Sequence, residues 1–562
     1  MTLPTKTIRQ IEASLARAVG ENEPGIAVGI AQGGKMVWGG SRGLANLKSQ
    51  QVFGTQTPFR ICSISKQFCC ALVMHQVAAS RIDLSAHPSR YVPWARVLDS
   101  RLTLSHLMQN KSGIRDQWVM AMMMGARAEQ RFTLADGVTA VKHAPASMWT
   151  PGSQNLYCNA NFELLGQVLQ SATGKHFSEL LQTHILAPLK MHNTSVGIDT
   201  AEAIAGDTRG YRHIEGAWVE EENRVHWAAS AGMVSTIEDL LKWAACLRNP
   251  KAAGQPWVED ITRATPFNDG APATYACGIN HAINAVGNSK REMLAHAGAL
   301  RGWRSTLMHF VAEDTSIAVF MNRTNSPSGK LPRGVAMEIL EALKIPPIWQ
   351  STKAPRKRVS LAGAGLNAGV YVSRDQGLMI QLRDHKGAAE VFSHLDWSAL
   401  SAGGAGEDAK TIATEDGGMK MRVGSPAELT LTMRDDNVCT VMQRIKSSKP
   451  TAGPFKSGGR FTCAPINSSV EVFVDDTKPK QVALAFTGIF GEGGVYRLTV
   501  VNNEVAWFDL PRGVDESPPG RVLVVFDPIE NTIEVSCILA RRVIFRTDQH
   551  GNGSTVVSLV AH

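Results

Sequence analysis

Apolar positions in the first 345 residues switch repeatedly between helical and strand spacing. Ile8, Ile11, Leu15 and Val19 mark one face of an N-terminal amphipathic helix. Residues 25–31 and 36–38 then read as strands, and Phe68, Leu72 and Val77 recur at near-helical spacing from residue 63 to about Ala79. Another helix is carried by Phe162, Leu165, Val168 and Leu169 and stops at Gly174. Residues 300–310, with residues 307–311 at their end, and residues 317–321 return to the strand pattern, and residues 332–343 predict a closing helix. Strands at both ends of the region predict one sheet built from both ends with helices packed around it, an α+β domain over residues 1–345.

The texture changes after a linker at residues 346–358. Period-2 segments at 378–382, 429–433, 470–474, 482–486, 496–500 and 521–526 follow one another with turn residues between, and helical patterning almost disappears. Gly369-Val370-Tyr371 and Gly459-Arg460-Phe461 open two stretches of similar texture, over 359–452 and 453–562. Two small antiparallel β-barrels are expected there.

With 562 residues, about three domains are expected, and 44% hydrophobic against 19% charged residues supplies ample core for a soluble globular protein. No apolar run approaches the roughly 18 residues of a membrane span, and the N-terminus shows no apolar core of a secretory signal. The net charge of +8 is scattered, and its one dense run, Lys353 to Arg358, falls in the linker; no nucleic-acid or membrane partner follows from it. Nine cysteines, an odd number without a Cys-x-x-Cys pair, suggest reduced thiols in a cytoplasmic setting, with Cys62 and Cys158 as packing residues. Sixteen histidines show no metal-ligand spacing, so no metal or other cofactor is inferred.

Three short strings carry the candidate chemistry. In Ser63-Ile64-Ser65-Lys66 the serine falls where an extended segment becomes helical, so its N–H can hold a developing oxyanion. Lys66 stands one turn on, where partial desolvation favours the neutral amine that could take the serine proton. Tyr157-Cys158-Asn159 lies on a short loop before a helix and offers a phenol as proton relay. His296-Ala297-Gly298 precedes the strand pattern at 300–310; the glycine is expected to let substrate approach the backbone, and Ala299 N–H is a candidate second oxyanion donor. A serine, lysine and tyrosine in this order suit a hydrolase that acylates a serine without a histidine–aspartate pair. Two other strings fail their context: Gly39 to Gly43 fits a nucleophile elbow but lies between extended segments, and Gly363-Ala364-Gly365 lacks the third glycine and helix of a dinucleotide site.

With these separations, the strings resemble the penicillin-recognising serine hydrolases, and within them the D-aminopeptidases. The residues carrying the resemblance are Pro58 to Phe68, Asn110 to Asp116, Tyr157 to Phe162 and His296 to Arg304, with a C-terminal stretch around Asp515. The resemblance implies a β-lactamase-like catalytic domain followed by two β-barrels, and that three-domain plan is the main support for the barrels. It implies Ser63 as nucleophile, Lys66 as general acid/base, Tyr157 as relay partner, and Asn159, Asn280 and His296 as residues that position substrate. It also implies a homodimer, and inhibition by β-lactams that occupy Ser63. The substrate implied is a small peptide or amide with a free N-terminal D-residue of the D-alanine type.

One departure from the wider superfamily is informative. Most members carry a lysine where His296 stands, and that lysine recognises a substrate carboxylate. A histidine has no dependable charge near neutrality, which argues against a DD-carboxypeptidase. Residues 511–520, between two strands, form a connection longer than a hairpin needs. The resemblance brings this loop into the catalytic cleft, where Asp515 would pair with the substrate's α-ammonium. Other readings are an esterase, β-lactamase or DD-peptidase of the same superfamily, and a penicillin-binding sensor without turnover.

Overall fold

The computed structural model describes residues 2–547 apart from 198–201, 203, 287–288, 347–356, 393–396, 403–409, 415–417, 434, 476–480 and 511–520. The first domain is organised by an antiparallel sheet in the order Asn280–Val286, Ser289–Leu300, Trp303–Phe310, Thr315–Met321, Ile26–Gln32, Lys35–Arg42. Ile26 lies between Met321 and Arg42, so strands from the two ends of the domain are neighbours, as the pattern predicts.

Both faces of this sheet are covered, which explains why its central strands read as almost continuously apolar. Val28, Ile30, Ile317 and Val319 meet Ile11 and Leu15 of the helix Thr5–Ala18 and Val335 and Ile339 of the helix Pro332–Leu343. Ile11 and Leu15, at 0% and 3% exposure, each contribute about 2 kcal/mol by leaving water. The alternate residues Ala27, Ala318 and Phe320 face the larger core, which includes Phe59, Phe68 and Trp243. Gly29 allows close approach on this side, since a Cβ there would stand 2.4 Å from Ile237 Cγ2 of the helix Ile237–Arg248.

Beyond the linker, two closed eight-stranded antiparallel barrels follow. The first runs from Gly369–Ser373 to Val438–Arg444 and closes through Tyr371 and Arg444; the second runs from Gly459–Cys463 to Ala540–Thr547 and closes through Phe461 and Thr547. Closure pairs the edges that short alternating strands would otherwise expose. Where the barrels meet, the Arg521 guanidinium lies 3.8 Å from the ring centroid of Phe392 and 4.1 Å from that of Trp507.

The barrels also grip the first domain through hairpin turns. Asn155 N–H donates to Asp436 O at 3.1 Å, and Asn437 Nδ2 donates to Ser153 O at 2.9 Å. From the second barrel, Arg541 O accepts from Arg115 Nε and Nη2 at 3.1 and 3.0 Å. Residues 39–42 lie inside the strand Lys35–Arg42, so this Gly-x-Ser-x-Gly string makes no elbow. Among the described residues, no helix is long and apolar enough to cross a membrane.

Candidate active site

Ser63 sits in the 3-10 turn Cys62–Ile64, immediately before the helix Ser65–Ala78. The turn is entered through Cys62 at φ +53°, a left-handed conformation costly for a residue with a side chain. Its surroundings hold it there: Ile61 N–H donates to Met233 O at 3.0 Å, Ser65 Oγ to Cys62 O at 2.6 Å, and Ser305 Oγ to Ile61 O at 2.8 Å. The helix behind is buried almost all round, so Ser63 is half-buried on a rigid support while Lys66 is fully enclosed.

Lys66 Nζ donates to Ser63 Oγ at 3.1 Å, to Asn159 Oδ1 at 2.7 Å and to Ser230 O at 2.8 Å. Tyr157 Oη donates to the same Ser63 Oγ at 2.6 Å. The Tyr157 ring also lies 4.7 Å from the Lys66 nitrogen. Asn110 fixes the tyrosine's loop: its backbone oxygen accepts from Leu156 N–H at 2.9 Å and its Oδ1 from Cys158 N–H at 3.2 Å. Asn159 begins the helix Asn159–Thr173, which stops at Gly174 in the left-handed conformation, as expected.

The third string departs from expectation in its local structure. His296-Ala297-Gly298 itself lies within a strand, Ser289–Leu300, and the strand expected after it runs over Trp303–Phe310. Gly298 faces the turn that carries Ser63, not open space for substrate: a Cβ there would stand 2.4 Å from Ile61 O and 3.0 Å from Cys62 Cβ. Its missing side chain therefore serves packing of the sheet on the serine's turn.

His296 is buried at 5% exposure, with Nδ1 2.6 Å from Ala297 O and Nε2 3.2 Å from Tyr275 Oη. Burial, with the Lys66 ammonium as second cause, holds its pKa down to about 3, so the imidazole is neutral across the physiological range. Tyr275 is itself buried, which pushes its phenol well up.

Hydrogen-bond parity fixes the direction of the Ala299 N–H. Val311 N–H donates to Glu292 O at 3.0 Å, and in an antiparallel ladder this alternation directs the N–H groups of Ala297 and Ala299 away from the strand Trp303–Phe310. On that other side the pairing with Asn280–Val286 ends at Ala295, which leaves the edge beside Ala297 and Ala299 open. Asn280 pairs with Ala295 and is exposed, on the sheet face opposite His296. Asp515 lies outside the described residues.

Four contributors escaped sequence reasoning: Tyr275, Ser230, Asp116 and Glu163. Asp116 caps the helix Gln117–Met123 through Trp118 and Val119 N–H at 3.0 and 3.1 Å, and Glu163 accepts from Ser230 N–H at 2.9 Å. A signal for Glu163 existed: flanked by Phe162 and Leu164, it is the one charged residue of the helix Asn159–Thr173. The thiols beside the site are inert packing groups. Burial pushes Cys62 up to about 12 and Cys158 well above its ordinary range.

Comparison with known proteins agrees with this geometry. The beta-lactamase family model matches residues 8–341, and the model for D-aminopeptidase, domain B, matches residues 364–546, across both barrels. A D-aminopeptidase of Gluconobacter oxydans (strain 621H) is 26% identical over 538 residues, covering 93% of this chain and 95% of its own length. A D-aminopeptidase of Brucella canis is 25% identical over 537 residues with the same coverage. Two solved structures share the fold. The octameric penicillin-binding protein homologue from Pyrococcus abyssi has a TM-score of 0.52 at 17% identity, over 78% of this chain and 99% of that one. D-amino acid amidase from Ochrobactrum anthropi SV3 complexed with D-phenylalanine has a TM-score of 0.50 at 20% identity, over 60% and 99%. With well over half of its length matched by the family model and the serine, lysine and tyrosine strings gathered at one site, this chain belongs to the beta-lactamase family.

Proposed function

We propose that the protein is a D-stereospecific aminopeptidase that releases N-terminal D-residues from small peptides and amides through an acyl-enzyme at Ser63. The observation that carries the chemistry is the placement of Ser63 Oγ within hydrogen-bond reach of both Lys66 Nζ and Tyr157 Oη. The preference for D-residues and for a free amine rests on the relatives named D-aminopeptidase, which run along nearly the whole chain.

In acylation, Ser63 Oγ bonds to the scissile carbonyl carbon as its proton passes to Lys66. The carbonyl oxygen becomes an oxyanion beside the N–H groups of Ser63 and Ala299. Collapse breaks the C–N bond, and the proton returns through Tyr157 to the leaving amine. Water then attacks the ester, giving its proton back along the same route, and the free amino acid departs. Asn159 orients Lys66, and neutral His296 lines the site without the fixed cation that would favour a substrate carboxylate. Asp515 is assigned the substrate α-ammonium, which an acylated N-terminus would leave unpaired. A homodimer belongs to the same reading, and sedimentation velocity tests it.

Hydrolysis of D-Ala-p-nitroanilide, its L-isomer and its N-acetyl derivative, with Ser63→Ala as control, tests the proposal. Cleavage of the first alone, lost in the variant, is expected. Equal use of the acetylated compound removes Asp515 from the scheme, and turnover of esters or nitrocefin without amide cleavage replaces the aminopeptidase with another activity of the superfamily.

A further inference from the structure

Lys66 is tied to two buried carboxylates through two intervening residues, Ser230 and Asn159. Ser230 O accepts from Lys66 Nζ at 2.8 Å, while Ser230 N–H donates to Glu163 Oε1 at 2.9 Å. Asn159 Oδ1 accepts from Lys66 at 2.7 Å, while the backbone N–H of Asn159 is bonded to the Asp116 carboxylate. Glu163 is 4% exposed and Asp116 3%. Neither carboxylate has a step in the acylation scheme, and a buried carboxylate is costly unless it is paired and hydrogen-bonded, as both of these are on the side facing Lys66. Glu163 and Asn159 stand four positions apart on the helix Asn159–Thr173, so one face of one helix reaches Lys66 both directly and through the Ser230 peptide.

We propose that Glu163, with Asp116 as its counterpart, is a positioning residue for Lys66: it holds the backbone of Ser230, whose carbonyl aims the amine at Ser63, and it supplies a negative charge to the enclosed site. This rests on Ser63 and Lys66 acting as nucleophile and base. A fully buried ammonium is disfavoured by desolvation, and a nearby carboxylate restores part of the charged form. Glu163 feels the same balance in reverse, raised by burial and drawn down by the Ser230 N–H and by Lys66. The other titratable groups around Lys66 are Tyr157, His296 and the buried thiols of Cys62, Cys69, Cys70 and Cys158. The imidazole and the thiols are uncharged near neutrality. Among the described residues, Asp116 and Glu163 are the carboxylates that interact with the amine, and Cys69 is the thiol beside Glu163.

The test is the pH dependence of labelling by a fluorophosphonate probe, read by intact mass with Ser63→Ala as control. Glu163→Gln keeps an acceptor for Ser230 N–H and removes the charge. Its acid limb is expected about one pH unit lower than that of the wild type, because Lys66 loses its proton more readily. Glu163→Asp keeps the charge with a shorter reach, so its limb stays in place while the rate falls several-fold. A purely structural role would lower the rate in both variants without moving either limb, and that outcome overturns the proposal. If the wild type is not labelled at Ser63, the nucleophile reading itself fails, and this inference fails with it.

Discussion

The backbone N–H of Asp116 donates to the carbonyl oxygen of Leu539 at 3.0 Å, joining the cap of the helix Gln117–Met123 to the last hairpin of the second barrel. Asp116 in turn caps the helix Gln117–Met123 and bonds the Asn159 N–H. Two residues beyond Leu539, Arg541 Nη1 donates to Gln154 Oε1 at 3.1 Å and to Gln376 Oε1 at 3.2 Å. One hairpin thus braces the Tyr157 loop and ties it to the first barrel. The second barrel is therefore part of the site's support.

Removing that brace should be measurable. Arg541→Ala deletes two hydrogen bonds from a side chain at 3% residue exposure, and should destabilise the protein by about 1–3 kcal/mol in chemical unfolding, with a several-fold lower kcat. An unchanged midpoint together with unchanged kcat would mean that the hairpin rests on the catalytic domain without supporting it.

Gly298→Ala tests the packing of the sheet on the nucleophile turn. The added methyl cannot fit 2.4 Å from Ile61 O without displacing the turn, because that contact is backbone. A loss of at least tenfold in acylation rate is expected from a protein that still folds. Wild-type acylation by this variant would show that the turn can yield at no catalytic cost.

His296 supplies a pH prediction. With its folded pKa near 3 against an unfolded value of about 6.5, it favours folding fully above pH 6.5, and this contribution declines as the pH falls toward 3. Because the imidazole is already neutral at pH 5–8, it cannot be the source of an activity limb there. His296→Gln should lower the rate and leave the acid limb where it is; a limb that vanishes in this variant would contradict the neutral imidazole.

Thiol reactivity gives an independent check on the core. Cys439 is exposed, whereas the other eight cysteines are buried. Ellman's reagent should therefore titrate one thiol rapidly in native protein and nine in denaturant. Fast reaction of a second thiol in the native state would show that a cysteine assigned to the core is accessible.

The sequence by itself determined what local chemistry can write. Short apolar runs gave the strands Ile26–Gln32 and Thr315–Met321, period-2 segments gave strands of the barrels, 3.6-residue spacing gave the helices, and Gly369 and Gly459 marked the first strands of the two barrels. Ser63 and Lys66 were legible because they share one helical turn, and Tyr157 because a turn signal precedes it. Only the tertiary structure decided the rest. Whether Gly298 faces substrate or protein depends on which turn the sheet packs against. The neutral state of His296 depends on burial that no spacing records. Asp116 and Glu163 reach Lys66 through the backbone N–H groups of Asn159 and Ser230, on two separate segments, and Leu539 reaches Asp116 from the far end of the chain. These relationships join residues distant in sequence through backbone groups that every residue type carries, so side-chain patterns along the chain leave no trace of them.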